Sequence, residues 1–453
     1  MTTSDSLTIV AIATPRGYGG IALIRLSGPK ALSIAKRLFV SNQNLSPRRA
    51  VFGNLIDDSG TIDTGVVTYF KAPSSYTGED VVEIGIHGNP YLCDLVISAC
   101  KKLGAVSAGP GEFTQRAFLN GKMDLSQAEG VADITYSSSR AAQSASMDLL
   151  RGTLGTEIKK IKAALINTIT VLELELDFQE DEIDFISAHD TLGAVSVIIS
   201  TIDRLLKTYD WGKIIREGMR CPIIGAPNSG KSSLFNAFLQ EERVIVSSLP
   251  GTTRDYIEET IRVDNYQIRL VDTAGLRNTN NEIESRGMQK TKSLMRDGNI
   301  LLYVIDLSDP RETMPKLTPS ELKKTCFILN KADIAKPAHL QNAIKLIGNR
   351  RYFICSALNH TGVREIATAL ITEIEKLSPE NCPIIITRER HKDALFYTNL
   401  NLKRSVNSIR RGAAPEIISI DLREALGHLD VILGKTENDD ILNNIFNNFC
   451  IGK

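Results

Sequence analysis

The sequence predicts a multidomain α/β protein: a mixed α/β domain first, then an all-α helical domain, with a further domain on a mostly parallel sheet inserted into the helical part. Three observations predict it. Short apolar runs broken by turns fill residues 1–120, and apolar residues at three- and four-residue spacing take over from Leu125. Between two such helical blocks stands Gly225-Ala226-Pro227-Asn228-Ser229-Gly230-Lys231-Ser232-Ser233, with a strand pattern before it and a helical one after it. The 453 residues suit about three domains at roughly 150 residues each.

Composition narrows the class. Hydrophobic residues at 42% and charged ones at 23% describe an ordinary soluble globular chain. Lys+Arg and Asp+Glu both count 53, so no global field draws the protein to nucleic acid, and any such contact must come from a local patch or a partner. Ile9–Ala13 is too short for the apolar core of a signal peptide, and no run approaches the roughly 20 apolar residues of a membrane span. Cys93, Cys100, Cys221, Cys326, Cys355, Cys382 and Cys450 show no paired metal spacing and leave one over. A reducing, cytoplasmic setting without a membrane is the expectation.

In the first domain, 1–120, Ile9–Ala13 ends at Thr14-Pro15-Arg16-Gly17 and Ile21–Leu26 ends at Ser27-Gly28-Pro29. Val66–Phe70 and Val81–Ile86 follow as strands, and Tyr91–Leu103 as a helix. Arg25 and Glu83 stand inside apolar strand runs, where an unpaired charge is costly. Two readings stay open: edge positions or a mutual ion pair on one side, a polar ligand pocket on the other.

The helical domain is expected in two parts, 121–215 and 380–453. Ile158, Ile161, Leu165, Ile169, Leu172 and Leu176 mark one long amphipathic helix. The acidic residues Glu173, Glu175, Asp177, Glu180, Asp181, Glu182 and Asp184 are read as a solvated helix end and loop rather than a metal site. Another helix is expected over 187–209, before the solitary Trp211. Near the C-terminus Leu395, Leu402, Val406 and Ile409 mark one helix, Leu422, Leu426, Leu429 and Leu433 a second, and Ile441, Ile445 and Phe449 a short last one. An insertion at 216–379, with junctions near 212–219 and 378–382, is the simplest way to join the two blocks.

The inserted stretch fits G-x-x-x-x-G-K-[ST]. Glycines there let backbone N–H groups curl around a phosphate. Lys231 reaches the β and γ phosphates, the Ser232 hydroxyl ligates Mg²⁺, and the helix opening at Ser233 aims its positive end at the anion. The other elements of a Ras-like P-loop GTPase domain follow in order. Gly251-Thr252-Thr253-Arg254-Asp255 supplies a switch threonine, with Thr253 taken as the second Mg²⁺ ligand. Strand 268–272 delivers Asp272 near Mg²⁺, and Thr273-Ala274-Gly275 brings a backbone N–H to the γ phosphate. Asn330-Lys331-Ala332-Asp333 ends an apolar strand, and an Asp there accepts from N1–H and the 2-amino group of guanine. Cys355-Ser356-Ala357, followed by Leu358, supports the base. These motifs give the GTP-contacting set Asn228, Ser229, Gly230, Lys231, Ser232, Ser233, Gly251, Thr252, Thr253, Asp272, Thr273, Ala274, Gly275, Asn330, Lys331, Asp333, Ser356, Ala357 and Leu358. One departure is informative. Where small signalling GTPases carry a water-orienting Gln, this chain has Leu276, so catalysis comes from elsewhere or is slow. Glu282 and Glu284 are the acids of the following segment, and both stay open as solvated loop carboxylates.

Beyond these motifs the chain resembles the MnmE family (also called TrmE), bacterial GTPases that modify wobble uridines of tRNA. The marks are Ile12-Ala13-Thr14-Pro15 with Arg25-Leu26-Ser27-Gly28, and Tyr76-Thr77-Gly78-Glu79-Asp80 with Glu83 and His87-Gly88. They continue through Pro110-Gly111-Glu112-Phe113, Arg116–Lys122, Thr252-Thr253-Arg254-Asp255 and the ending Cys450-Ile451-Gly452-Lys453. The resemblance covers essentially the whole chain; Asn89, where a second Gly is common after His87-Gly88, is a minor departure.

The resemblance implies a homodimer joined through an N-terminal domain that binds 5-formyltetrahydrofolate or another one-carbon tetrahydrofolate. Arg25, Glu83 and Lys122 match the family's folate-contacting positions, with Lys453 reaching in from the tail. It implies a partner, the FAD- and NADH-dependent MnmG, in a heterotetramer that adds a carboxymethylaminomethyl group to C5 of the uridine. Only the resemblance adds Ser247, Ser248, Leu249 and Pro250 to the GTP-contacting set. Asn228 matches the side-chain ligand of a K⁺ ion completed by Ser247, Leu249 and Thr252. Glu284 matches the water-orienting acid, and Cys450 matches a cysteine needed for modification. The alternative is a ribosome-assembly or regulatory GTPase switch. That reading calls for an appended RNA-binding module such as a KH domain, where this chain has helices and a Cys-bearing tail. A purely folate-binding structural protein leaves the phosphate loop unexplained.

Overall fold

The short apolar runs of the first 120 residues are gathered into a seven-stranded sheet. The computed structural model describes residues 7–177, 188–241, 243–244, 257–272, 292–309, 317–379, 382–435, 439–447 and 449–453. These fall into two compact units, one of Met1–Thr135, Asp148–Val195 and Leu400–Lys453, the other of Tyr136–Met147 and Ser196–Asn399. Among the described residues no helix is long and apolar enough to cross a membrane.

In the first unit the strands are β1 (Thr8–Ile12), β2 (Gly19–Ser27), β3 (Phe39–Val40), β4 (Ala50–Asp57), β5 (Gly60–Phe70), β6 (Val81–Gly88) and β7 (Ala105–Ser107), in the order β3-β4-β5-β6-β2-β1-β7. All neighbours are antiparallel except β1 and β7. Helix Ala31–Leu38 turns Ala31, Ile34, Ala35 and Leu38 inward, and helix Pro90–Lys102 turns Cys93, Val96, Ala99 and Cys100 inward. Both cover the same core as Val10, Ile24, Val67 and Ile84. Asn89 starts the second helix by accepting from the Tyr91 N–H, with Pro90 in the first turn. Three strands escaped the sequence pattern. β3 and β7 are too short to show a period, and β4 is interrupted by Gly53, where a Cβ would stand 2.4 Å from the Val40 carbonyl oxygen.

Arg25 and Glu83 face each other in register on β2 and β6, both interior strands, so the edge reading is corrected. Arg25 donates to Glu83 Oε1 from Nε at 2.9 Å and Nη2 at 2.7 Å. A second charged cluster lies deeper. Arg116, 8% exposed, donates through Nη1 to the Leu7 carbonyl at 2.8 Å and to Glu79 at 3.2 Å, and through Nη2 to Glu112 at 2.8 Å. Ser27 Oγ donates to the same Glu79 at 2.6 Å.

The helical part of this unit follows the expected periodicity. Helix Thr153–Asp177 buries Ile158, Ile161, Leu165, Ile169 and Leu172 and packs on helix Pro415–Leu433, which buries Leu422, Leu429 and Leu433. Lys162 pairs with Asp430, and Glu173 accepts from Ser419 Oγ at 3.3 Å and pairs with Arg423. The side chains of Leu176, Glu175, Asp177, Glu180, Asp181, Glu182 and Asp184 lie outside the described residues. The last helix is Asp439–Phe446, shorter than the spacing of Ile441, Ile445 and Phe449 implied. Phe449 lies beyond it and still packs on Phe446, ring centroids 5.3 Å apart, in a cluster with Leu125, Ala128 and Leu442.

The second unit contains β8 (Met219–Gly225), β9 (Arg243–Val244), β10 (Ile257–Val263), β11 (Tyr266–Asp272), β12 (Leu301–Asp306), β13 (Thr325–Asn330) and β14 (Tyr352–Ile354), in the order β14-β13-β12-β8-β11-β10-β9. The five strands from β14 to β11 are parallel, and β10 and β9 add antiparallel pairs at one side. Residues alternate between two cores. Leu302, Val304, Cys326 and Ile328 meet helices Lys231–Glu241 and Val363–Lys376, while Ile305, Phe327 and Leu329 meet helix Pro337–Ile347. Helices on both faces make β13 buried at every position, as a parallel sheet requires. The helix expected over 187–209 is Ala188–Leu206, and a separate helix, Tyr209–Glu217, follows it. Thr208 divides them, its Oγ1 donating to Leu205 O at 2.7 Å and accepting from Ile386 N at 2.9 Å, a side chain competing for backbone partners.

Arg116→Ala is expected to destabilise the protein by about 3–5 kcal/mol, the usual cost of stranding buried carboxylates. Urea unfolding followed by circular dichroism measures it. A loss below about 1 kcal/mol would mean Glu79 and Glu112 find solvent and the cluster is not structural.

Candidate functional site

The phosphate loop is built from three residues with positive φ: Gly225 at 149°, Asn228 at 62° and Gly230 at 93°. A Cβ on Gly225 would stand 2.4 Å from the Val304 carbonyl oxygen, and one on Gly230 would stand 2.2 Å from Asn330 Nδ2. Only glycine fits either place, and Asn is among the few other residues that adopt the left-handed region readily. β8 leads into this loop and helix Lys231–Glu241 leaves it, beginning two residues earlier than the sequence indicated. Lys231 is buried and donates from Nζ to the Ala226 carbonyl at 2.7 Å, so its ammonium stays at the loop.

Ser232 Oγ donates to Asp272 Oδ2 at 3.0 Å. Parallel pairing of β8 with β11 sets Asp272 opposite Ile223 and brings it within reach of that hydroxyl. A hydroxyl and a carboxylate side by side are the hard oxygen donors that a Mg²⁺ shared with phosphates takes. Asn228 is exposed, leaving its side chain open to solvent.

Asn330 ties this loop to the far side of the site. It is 2% exposed, its Nδ2 donates to the Ser229 carbonyl at 3.0 Å, and its Oδ1 accepts from the Ala357 N–H at 3.0 Å. Ser356 N and Thr361 N exchange hydrogen bonds with each other's carbonyls at 3.0 and 3.2 Å, closing a turn that leaves Leu358 78% exposed. Asp333 is exposed, while Lys331 donates to Asp306 Oδ2 at 2.5 Å. Partial burial pushes the Asp306 carboxyl up, but hydrogen bonds from Lys331 and Ser308 outweigh it and hold the group below its ordinary value. Asp306 was not among the residues expected from sequence. Its signal is an acid closing the apolar run Leu301–Ile305 at the carboxyl end of a parallel strand, where α/β sheets bind ligands.

The structure thus brings together Asn228, Ser229, Gly230, Lys231, Ser232, Ser233, Asp272, Asn330, Lys331, Asp333, Ser356, Ala357 and Leu358 around one end of the sheet. Ser247, Ser248, Leu249, Pro250, Gly251, Thr252, Thr253, Thr273, Ala274, Gly275, Leu276, Glu282 and Glu284 lie outside the described residues.

A second group gathers in the first unit. Above the Arg25–Glu83 pair, the Arg25 guanidinium carbon lies 5.5 Å from the Tyr76 ring centre and 5.7 Å from that of Phe113. Its Nη1 donates to the Gly452 carbonyl at 3.4 Å. Gly452, φ 98°, is pressed so closely on β1 that a Cβ would stand 2.1 Å from the Ile12 oxygen. Ile451 bridges to Pro110, and Gly111 N donates to Cys450 O at 3.4 Å. Burial, then repulsion from Arg25, pushes the Lys453 ammonium below its usual range, and its Nζ contacts Thr135 Oγ1. Lys122 instead donates to the Pro73 carbonyl at 3.0 Å. Cys450 is the exposed thiol of the seven. Burial pushes Cys100, Cys326 and Cys355 up to about 12, out of reach of thiolate chemistry at neutral pH.

A glycine-walled phosphate loop, locked by a buried amide to an Asn-Lys-Ala-Asp loop on a mostly parallel sheet, defines a P-loop GTPase domain. Residues 8–122 match the family model described as GTP-binding protein TrmE N-terminus, and residues 125–450 match the MnmE helical domain. The tRNA modification GTPase MnmE of Aquifex aeolicus is 40% identical over 449 residues, 98% of this chain and 99% of its own. That of Christiangramia forsetii is 37% identical over 469 residues, again 98% and 99%. Among solved structures, the G domain of the T. maritima FeoB iron transporter aligns with 35% of this chain and 98% of its own, at 22% identity and a TM-score of 0.23. The chain belongs to the MnmE family of tRNA modification GTPases.

Asn330→Ala strands the Ser229 carbonyl and the Ala357 N–H, each worth about 1–3 kcal/mol when buried unpaired. Thermal melting without nucleotide is expected to fall, and affinity for a fluorescent GDP to drop at least about tenfold. Unchanged affinity would show that the phosphate and base loops hold their shape independently.

Proposed function

We propose that this chain hydrolyses GTP to drive tRNA modification, acting with the FAD-dependent partner MnmG to add a carboxymethylaminomethyl group to C5 of a wobble uridine. The observation that carries the GTPase half is the Asn330 side chain joining the phosphate loop to the base loop, over a sheet end that also holds Lys231, Ser232 and Asp272. The tRNA half rests on the full-length likeness to relatives named as tRNA modification GTPases. In this reading 1–120 is the folate-binding and dimerisation domain, 121–215 and 380–453 form the helical domain, and 216–379 is the GTPase domain, all in a cytoplasmic homodimer.

The residues divide the work as follows. Asp333, exposed at the loop end, accepts from the guanine edge. Ser232 with Thr253 holds Mg²⁺, which neutralises phosphate charge when bound. Asn228 with Ser247, Leu249 and Thr252 holds K⁺, whose charge stands where an arginine finger would, and Glu284 orients the water that Leu276 leaves unplaced. In the first unit, two cations held close by the tail, Arg25 and Lys453, suit the carboxylates of a tetrahydrofolate, with Glu83 fixing the Arg25 fork. Lys122, turned to Pro73 here, completes the set by a rotamer change.

Turnover is expected to rise in KCl relative to NaCl, and Asn228→Ala to lose most of that response while still binding GDP. Phosphate release in matched salts decides it, and equal rates in the two salts would remove the cation.

Cys450→Ser is expected to leave K⁺-stimulated hydrolysis and dimerisation intact and to abolish wobble-uridine modification. Phosphate release by the pure variant and nucleoside analysis of tRNA from cells carrying it are read together. Normal modification would show that the exposed thiol has no required chemistry, and loss of both readouts would point to misfolding.

A further inference from the structure

The Asn-Lys-Ala-Asp loop carries an unusual conformation at its second residue. Lys331 sits at φ 63°, in the left-handed region that residues other than Gly and Asn seldom occupy. Such a conformation persists only where its surroundings determine it, and it marks functional positions. What holds it lies on the neighbouring strand. β12 and β13 run parallel with Asp306 abreast of Asn330, and Leu307 N donates to the Asn330 carbonyl at 3.0 Å. Asp306 divides its two oxygens. Oδ1 accepts from Ser308 N at 2.8 Å and Ser308 Oγ at 2.6 Å, which fixes the carboxylate, and Oδ2 accepts from Lys331 Nζ at 2.5 Å. The Asp306 side chain is 13% exposed and that of Lys331 31%, so the pair is shielded enough for its geometry to persist.

We propose that Asp306 is a positioning residue for guanine-nucleotide binding: it anchors the Lys331 ammonium and so holds the segment between Asn330 and Asp333 in its binding shape before the nucleotide arrives. This rests on the GTPase reading and deepens it. A lysine carries large rotamer freedom, and a loop that must immobilise one during binding pays that entropy out of its affinity. The carboxylate stays ionised because hydrogen bonds from Lys331 and Ser308 outweigh its partial burial. Asp306 itself is placed through Lys331, not against the base.

Asp306→Asn is the informative substitution, since an amide oxygen can still accept from Ser308 while the charge that holds Lys331 is removed. The full-length variant is expected to melt within a few degrees of the wild type without nucleotide. Its Kd for a fluorescent GDP is expected to rise about tenfold, and its KM for GTP to rise in step while kcat stays near wild type. Placed on a Lys331→Met background, Asp306→Asn is expected to add nothing further, because its effect runs through that lysine. An unchanged Kd in the single variant would overturn the proposal, as would an undiminished effect on the Lys331→Met background. The wild-type titration separates the two levels. Failure of the wild type to bind GDP would overturn the GTPase reading and this inference with it, whereas normal wild-type binding with an unaffected variant would overturn this inference alone.

Discussion

The inserted domain depends on one buried amide. Asn330 satisfies a carbonyl of the phosphate loop with its Nδ2 and an N–H of the Ser356-Ala357 turn with its Oδ1. Backbone groups in such loops cannot pair with a strand or helix, and leaving them buried and unpaired is costly. An amide is the side chain that meets both demands, since it offers donor and acceptor on one plane. Its closeness to Gly230 then decides that residue too: no Cβ can enter 2.2 Å from Nδ2. A residue at the end of one strand therefore fixes the shape of a loop about a hundred positions earlier, and the phosphate and base regions are parts of one construction.

That coupling explains what was legible in the sequence. The phosphate loop, Asp272 and Asn330–Asp333 are recognisable because their chemistry demands fixed residue types at fixed spacing after apolar strands. The long helices were legible for a different reason: Ile158 to Leu172 buries one face, and burial writes its period into the chain. Asp306 shows in the sequence only as an acid closing the apolar run Leu301–Ile305; its partner Lys331 follows a different strand, β13, and no local pattern relates the two. β3 and β7 are too brief to show alternation, and Gly53 hides β4 by meeting Val40 instead of carrying a side chain. Arg25 and Glu83 could be noticed as charges in apolar runs, yet only strand order shows that they sit in the interior of the sheet. The helix expected to 209 ends at Leu206 and a new one starts at Tyr209, because Thr208 between them accepts from Ile386 N, far along the chain.

The two charged clusters of the first unit answer the same electrostatic problem differently. Arg116 is enclosed by Glu79, Glu112 and the Leu7 carbonyl, so its donors are used within the fold. Arg25 spends two donors on Glu83 and turns a third to a backbone carbonyl at the longer distance of 3.4 Å. An arginine with its fork aligned by a carboxylate and a loosely held Nη1 is suited to an incoming anion in a way that Arg116 is not. The flanking Tyr76 and Phe113 rings keep the guanidinium in place from its faces.

The Arg25 cluster is also completed by the opposite end of the chain, 427 residues away from Gly452. Three glycine-dependent contacts make that possible. Gly452 lies against Ile12, Gly111 against the Phe446 carbonyl, and Gly434 against Leu125 and Phe118, each too close for a side chain. The last helix buries Leu442 and Phe446 beside Leu125, so the tail does not approach as a free strand: it is held by a hydrophobic anchor and then laid along Pro110 and β1. Lys453 is desolvated next to Arg25, an arrangement that like charges resist. The apolar anchor must therefore supply what the electrostatics oppose, and an anion between the two cations would relieve that opposition.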